Sequence, residues 1–240
     1  MTFNSLQYAL FLPVVGLVLL IPALLRLAAE RGDVRVVAAV SRSSVAAALP
    51  GHPFHPVEAL DDAPPFDVAI DFSLPVAFDA ILALCDARGA AFVSGTTGLA
   101  VQQRAALQAA SHRIPAVWAS NFSLGVAVLE DLVERAAGVL DGWDCDIVEQ
   151  HHTRKLDAPS GTALTLGAAA QRGGADPRYA SLRAGDIIGE HTVQFATAGE
   201  RIELIHRATN REIFARGALH VATRLAGRPA GSYRVRDLLD

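Results

Sequence analysis

The run Glu149 to Ala163, EQHHTRKLDAPSGTA, packs proton donors and an anion cradle into one short stretch of chain. His151 and His152 close a strand-like segment, Asp146 to Gln150, and Lys155 follows in the next turn. Asp157, Ala158 and Pro159 break the chain, and Ser160, Gly161 and Thr162 then open an Ala/Leu-rich helical segment that reaches Ala170. Unpaired N–H groups at a helix start favour a carboxylate or phosphate. Gly161 lets such an anion approach closely, and the hydroxyls of Ser160 and Thr162 add donors, so an acidic substrate is expected. Histidine titrates near neutrality and suits proton transfer, whereas lysine supplies a fixed positive charge or a second acid. Adjacent strand residues point to opposite faces, so His151 and His152 have different tasks: one facing a reacting carbon, the other a substrate oxygen.

Two other readings compete with this one. A histidine pair taken alone is more often structural or solvated than chemical. A zinc site would recruit His191 and His206 as further ligands, but neither cysteine, Cys85 or Cys145, lies at ligand spacing, and no metal is expected.

The ordered string EQHHTRKLDAPSGTA resembles the signature of the dihydrodipicolinate reductase (4-hydroxy-tetrahydrodipicolinate reductase) family of bacterial lysine and diaminopimelate synthesis. The resemblance continues in IDFSLP (Ile70 to Pro75), SGTTG (Ser94 to Gly98), ASNFSLGV (Ala119 to Val126) and RAGDIIGEHTVQFATAGERIELIHRA (Arg183 to Ala208). It runs from about Ala23 to the C-terminus, and chance does not produce that ordered set. It implies NADPH- or NADH-dependent reduction of a cyclic dicarboxylate, 4-hydroxy-tetrahydrodipicolinate, to tetrahydrodipicolinate. It also implies a homotetramer assembled through the sheet of the second domain. On the family pattern His151 is the proton donor and Lys155 the charge stabiliser, while His152, Ser160, Gly161 and Thr162 hold the carboxylates. Gly95, Thr96 and Thr97, with Ala119, Ser120, Asn121 and Phe122, line the nicotinamide side of the cofactor site. Arg42 stands where a 2'-phosphate would be met, and Ser41 replaces the acid that would repel it, which leans towards NADPH.

The elements that must position these residues alternate short β-rich runs with helical patterns, which signals a parallel sheet with crossover helices. Strands are expected at Val34 to Val40, Val68 to Asp71, Ala90 to Ser94 and Ile114 to Trp118, with helices near Val76 to Arg88 and Ala100 to His112. Ser43 to Pro65 reads as irregular. Val126, Leu129, Val133, Ala136 and Leu140 mark one face of a further helix, and His191 to Thr197 with Arg201 to Arg207 read as strands around a turn at Gly199. The expected fold class is α/β: a Rossmann-like parallel-sheet nucleotide domain, residues 1–122 with 213–240, and an α+β substrate-binding and tetramerisation domain, residues 123–212.

The first 22 residues depart from the family pattern. A glycine-rich G-x-x-G-x-x-G turn should admit the pyrophosphate to a helix start, yet the chain reads VVGLVLLIPALLR, with Gly16 alone and Leu19 and Pro22 at the later glycine positions. Leu19 would crowd the phosphates and Pro22 would disturb the helix, so weakened cofactor binding is expected. An altered frame, a wrong start and real divergence all stay open as the source. Tyr8 to Leu25 is also 18 residues without a charge, at the threshold for a membrane helix. Pro13 and Pro22 argue against a span, and a buried first strand and helix is the preferred reading.

Composition sets the outer bounds. At 240 residues, 51% hydrophobic and 19% charged, the chain can bury a large core. A net charge of −4 without a basic run argues against nucleic acid as a partner. Two cysteines fit a reducing cytoplasm. The rival functions are another two-domain NAD(P)-dependent oxidoreductase, and a catalytically impaired or membrane-held relative disabled by its N-terminus.

Overall fold

The computed structural model describes residues 6–11, 20–41 and 54–240. These form two compact units, one of residues up to Phe122 together with Phe214–Asp240, the other Ser123–Ile213.

The first unit holds β1 (Leu6–Phe11), α1 (Leu20–Ala29), β2 (Val34–Ser41), β3 (Phe54–Pro56), a 3-10 turn (Val57–Asp62), β4 (Val68–Asp71), α2 (Pro75–Arg88), β5 (Ala91–Ser94), α3 (Val101–Ala110) and β6 (Pro115–Trp118). The second holds α4 (Leu124–Val139), β7 (Asp144–His151), α5 (Gly161–Arg172), β8 (Pro177–Arg183), β9 (Gly189–Thr197) and β10 (Glu200–Ala208). The chain then returns through α6 (Glu212–Leu225), β11 (Gly231–Tyr233) and a closing 3-10 turn (Val235–Leu238).

The first sheet runs β11-β6-β5-β4-β1-β2-β3 with every pair parallel. Its central strands β4 and β5, VAID and AFVS, are buried at every position, as strands covered on both faces must be. Strand order reverses at β1, between β2 and β4, which is the switch point where open α/β sheets take their ligands. Pro75 occupies the first turn of α2, where its missing N–H costs nothing, and Gly89 ends the helix at φ 63°. Gly217 lets α6 lie on the carbonyl of Phe122, with which any Cβ at that position would collide.

The Rossmann-like expectation is met, with local corrections. The part of Ser43 to Pro65 that is described is not irregular: it carries β3 and the 3-10 turn. Pro22 does not break α1 but sits in its first turn, where the helix has no N–H partner to lose. The apolar stretch Tyr8 to Leu25 contributes to both β1 and α1, and among the described residues no helix is long and apolar enough to cross a membrane.

In the second unit a mixed sheet, β10-β9-β7-β8, carries α4 and α5 on one face. The parallel pair β7 and β8 is joined through α5, and β7, β9 and β10 pair antiparallel. Alternate residues of β7 (Cys145, Ile147, Glu149 and His151) are buried. The first two join Leu129, Val133, Leu166, Ala169, Val193 and Phe195 in an apolar core. At the carboxyl end of the strand the same face changes from apolar to charged, and the candidate site begins there.

Candidate active site

Glu149 and His151 lie two residues apart on one face of β7, so their side chains are neighbours. The Glu149 carboxylate is fully buried, and a buried charge needs several donors to hold it. His151 Nδ1 donates to Oε2 in a short hydrogen bond. Arg183, opposite His151 in the β7–β8 register, reaches Oε1 at 2.7 Å and Oε2 at 3.0 Å, and the Ser160 amide donates to Oε1 at 3.3 Å. Burial pushes this carboxyl up, but hydrogen bonds from Arg183, Ser181 and His151 outweigh it and bring it down to about 2. The group is therefore a fixed anion. His151 itself is lowered: burial dominates, the Glu149 bond and charge oppose it, and Lys155 and Arg183 add to it.

Arg183 does more than neutralise Glu149. Its Nε reaches the Lys155 carbonyl at 3.3 Å and one terminal nitrogen reaches that of Asp157 at 2.6 Å, so one guanidinium holds both the carboxylate and the loop bearing Lys155. The loop is anchored further by the Ala184 amide on His151 O and the Thr153 amide on Gly185 O. Lys155 Nζ pairs with Asp157 Oδ1 at 2.8 Å, and the lysine side chain keeps partial exposure.

His152 is half-buried with Nδ1 unpartnered. Its pKa is lowered first by burial and then by four cations, Arg154, Arg211, Lys155 and Arg183. A concentration of positive charge beside an unsatisfied imidazole calls for an anionic partner.

The start of α5 completes this group. Ser160 is the N-cap, its Oγ accepting from the Ala163 amide at 3.2 Å and meeting His191 Nε2 at 3.1 Å. With its amide on Glu149, Ser160 uses both of its polar groups within the protein, so it shapes the helix start, where Gly161 is exposed and Thr162 is buried. His191 on β9 is buried with Nδ1 unpartnered, its ring edge-on to that of His151 at 5.2 Å.

Among the described residues, Glu149, His151 and His191 are the one grouping that brings metal-ligand atoms together, within 4.8 Å. Arg183 lies on both Glu149 oxygens, and a divalent cation there would face a guanidinium. The second histidine of the zinc reading, His206, lies opposite His191 in the β9–β10 register but turns to Ser123, the N-cap of α4, at 3.2 Å. The cluster is built for hydrogen bonding, not for coordination.

Of the residues expected to hold a cofactor, those described lie in the first unit, just beyond the carboxyl ends of β5 and β6 and braced by Asp71 at the end of β4. Asp71, fully buried, accepts from the Ser73 amide (2.8 Å), Ser94 Oγ (2.8 Å) and Thr96 Oγ1 (2.9 Å). Trp118 Nε1 donates to Thr96 O at 2.7 Å, and the Ala119 amide to Ser94 O at 3.1 Å. A Cβ at Gly95 would strike the ring of Phe72, which packs edge-on to Phe122 at 5.5 Å. Gly95 to Thr97 and Ala119 to Phe122 thus form one braced ledge that leaves Thr97, Gly98 and Ser120 exposed. Placed beyond the strand ends of a sheet with this reversal of order, the ledge fits the nicotinamide half of a dinucleotide. Arg42 and Gly16 lie outside the described residues.

Comparison with known proteins identifies the family. The model of dihydrodipicolinate reductase, N-terminus, matches residues 22–122, and that of dihydrodipicolinate reductase, C-terminus, matches residues 125–239. The chain belongs to the dihydrodipicolinate reductase family. A 4-hydroxy-tetrahydrodipicolinate reductase of Stenotrophomonas maltophilia (strain K279a) is 69% identical over 219 residues, covering 90% of this chain and 92% of the relative. One from Xylella fastidiosa (strain 9a5c) is 60% identical over 218 residues with the same coverage. Among solved structures, the dipicolinate-bound dihydrodipicolinate reductase from Paenisporosarcina sp. TG-14 superposes with a TM-score of 0.79 at 19% identity, covering 96% of this chain and 98% of that one. A C. glutamicum DAP dehydrogenase in complex with DAP gives 0.62 at 15% identity, covering 98% of this chain and 96% of that one. At these identities the superpositions speak for the fold, and the dihydrodipicolinate reductase assignment rests on the sequence matches.

Glu149, Arg183 and the His191–Ser160 contact were not singled out as working parts from sequence. Glu149 and His151 at i and i+2 of a strand are a signal that sequence does carry. Arg183 could be found only through the β7–β8 register.

Proposed function

We infer that this chain is an NAD(P)H-dependent oxidoreductase that converts 4-hydroxy-tetrahydrodipicolinate into tetrahydrodipicolinate, in lysine and diaminopimelate biosynthesis. The observation that carries the reading is the Glu149–His151 pair with Lys155 and Arg183 beside it, next to His152 among Arg154, Arg211, Lys155 and Arg183, in a chain of this family. One hydride and one proton are added to the ring and the hydroxyl leaves as water, so substrate, NAD(P)H and a proton give product, NAD(P)⁺ and water. A nicotinamide cofactor, when bound, would supply the hydride. Gly95, Thr96, Thr97, Ala119, Ser120, Asn121 and Phe122 would hold its ring side, with Arg42 meeting a 2'-phosphate.

His151, as imidazolium, donates its Nε2 proton to the carbon next to the one reduced. Lys155 exchanges its exposed partner Asp157 for a substrate carboxylate and offsets the negative charge that develops on the ring. Gly161 and Thr162 offer helix-start amides to a carboxylate, Ser160 holds that turn in shape, and His152 meets the other polar edge of the substrate. Arrival of a dianion raises the pKa of His151, which loads the acid only when substrate is present. The first unit is the nucleotide-binding domain and the second the substrate-binding and tetramerisation domain of a cytoplasmic homotetramer. The free, buried Cys85 and Cys145 suit that compartment.

His151→Gln should lower kcat about 10²-fold or more while leaving NADPH affinity within about threefold, since a general acid acts in the transition state and not in cofactor binding. Steady-state kinetics with 4-hydroxy-tetrahydrodipicolinate and calorimetry with NADPH measure both. Undiminished turnover would remove His151 from its role, and lack of turnover by the parent would remove the function itself.

A further inference from the structure

A general acid works only if the nitrogen that carries the transferable proton faces the substrate. In His151 that choice is made by the hydrogen bond at the other nitrogen, because an acceptor on Nδ1 holds a proton there and leaves Nε2 to exchange with substrate. The acceptor is Glu149 Oε2. Among the described residues Nε2 has no hydrogen-bond partner, and it lies beside Gly189, where an added Cβ would stand 3.0 Å away. Glycine at that point keeps the approach to Nε2 clear.

The acceptor must also stay ionised and still. Arg183 grips both Glu149 oxygens, and the same guanidinium holds the carbonyls of Lys155 and Asp157. A planar fork can do this where a point-like ammonium cannot. The two groups expected to touch substrate, His151 and Lys155, thus hang from one buried ion pair.

We propose that Glu149 and Arg183 are positioning residues for this reduction: Glu149 fixes the tautomer and aim of His151, and Arg183 locks Glu149 in place while tying it to the loop that presents Lys155. The proposal deepens the function inferred above and rests on it. It moves no additional atoms, since the proton delivered from Nε2 is the one already counted and Glu149 stays ionised throughout.

The charged and titratable groups facing His151 are Glu149 on its own strand, Lys155 on the following loop, Arg183 on β8 and His191 on β9. Of these only Glu149 stabilises the imidazolium. Glu149→Gln keeps the shape and removes the charge, so His151 should lose its proton at lower pH, and the alkaline fall of kcat should move towards acid by about one unit. At neutral pH kcat should drop roughly 10- to 100-fold, the usual effect of losing a ligand-orienting partner, with KM changed less than about threefold. Arg183→Lys should instead raise KM together with a fall in kcat, because the Lys155 loop is released as well.

Nitrogen-15 NMR of the histidines, assigned by comparison with His151→Gln, reads the tautomer directly in the unaltered protein without substrate. Neutral His151 should carry its proton on Nδ1. A proton on Nε2 in the parent, or an alkaline limb that stays put in Glu149→Gln, would overturn the proposal. The NMR result decides even if Glu149→Gln fails to fold. Because it needs no turnover, it also separates failure of the positioning role from failure of the assigned reaction.

Discussion

His191 shows how far the burial of one side chain can shape the behaviour of the molecule. It is 3% exposed, its Nε2 meets the Ser160 hydroxyl, and its Nδ1 has no partner. Burial, reinforced by neighbouring His151, pushes its pKa down from 6.5 to about 4. A histidine that resists protonation in the folded state lets the unfolded chain bind the proton first as pH falls. The stability it permits is complete above pH 6.5 and is lost between 6.5 and about 4, at up to roughly 1.4 kcal/mol per pH unit for one proton. Glu149 acts in a lower window: its folded pKa of about 2 lies below the ordinary 4.5, so its contribution is present above pH 4.5 and lost as pH falls towards 2. Urea unfolding as a function of pH should therefore show two successive losses. His191→Gln should flatten the upper one by about one proton and leave the lower one untouched. His151, His152 and His206 are shifted in the same direction, so the upper slope should shrink and not vanish. An unchanged slope between pH 4 and 6.5 would mean that His191 is protonated as easily in the folded protein as in the unfolded one.

At the scale of elements, the sequence between β1 and α1 carries the next expectation. The sequence from Gly16 to Pro22 lacks the glycines that let a pyrophosphate touch backbone N–H groups, and an unpaired charge against apolar side chains costs several kcal/mol. Replacing Gly16 to Pro22 with a G-x-x-G-x-x-G turn should tighten NADPH binding at least about tenfold, or roughly 1.4 kcal/mol, by calorimetry. Equal affinities would show that this segment does not govern phosphate binding. The central strands of the nucleotide unit were legible because they announce themselves: VAID and AFVS are short, apolar up to a terminal Asp71 or Ser94, and followed by turn residues, whereas the three-residue β3 and β11 carry no such run. β8 did not announce itself. It starts with Pro177, lies at the sheet edge and exposes Arg178, Tyr179 and Ala180, so it has neither a continuous apolar run nor clean alternation. That gap hid part of the site as well. The histidines, Lys155 and the α5 cap stand together in one motif, whereas Arg183 reaches Glu149 only because β8 pairs in parallel with β7 and sets Arg183 opposite His151. Local sequence shows which side chains can do chemistry, but cross-strand register determines which of them are coupled.

For the whole molecule, the uncovered face of the second sheet bears on the proposed homotetramer. α4 and α5 pack on one face, and strand register places Ile205, Thr192, Val148 and Ala180 in a row across the other. This row of mainly apolar and small side chains extends to Leu182 and is otherwise flanked by polar ones: Arg207, Glu190 and Gln150 on one side, Glu203, Gln194, Asp146 and Arg178 on the other. Ile205 and Leu182 are 41% and 51% exposed. An apolar centre inside a polar rim is the anatomy of a specific interface, and a sheet of four strands offers it a broad, pre-formed surface. Glu149 and His151 point to the opposite face, so a change on this row leaves the buried ion pair in place. Val148→Arg would put a charge at the middle of the row, where an unpaired buried charge costs several kcal/mol in each copy of the interface. Light scattering after size exclusion should give a tetramer for the parent and a smaller species for Val148→Arg, with the far-ultraviolet circular dichroism unchanged. A parent that runs as a monomer, or a variant that stays tetrameric, would place the assembly surface elsewhere.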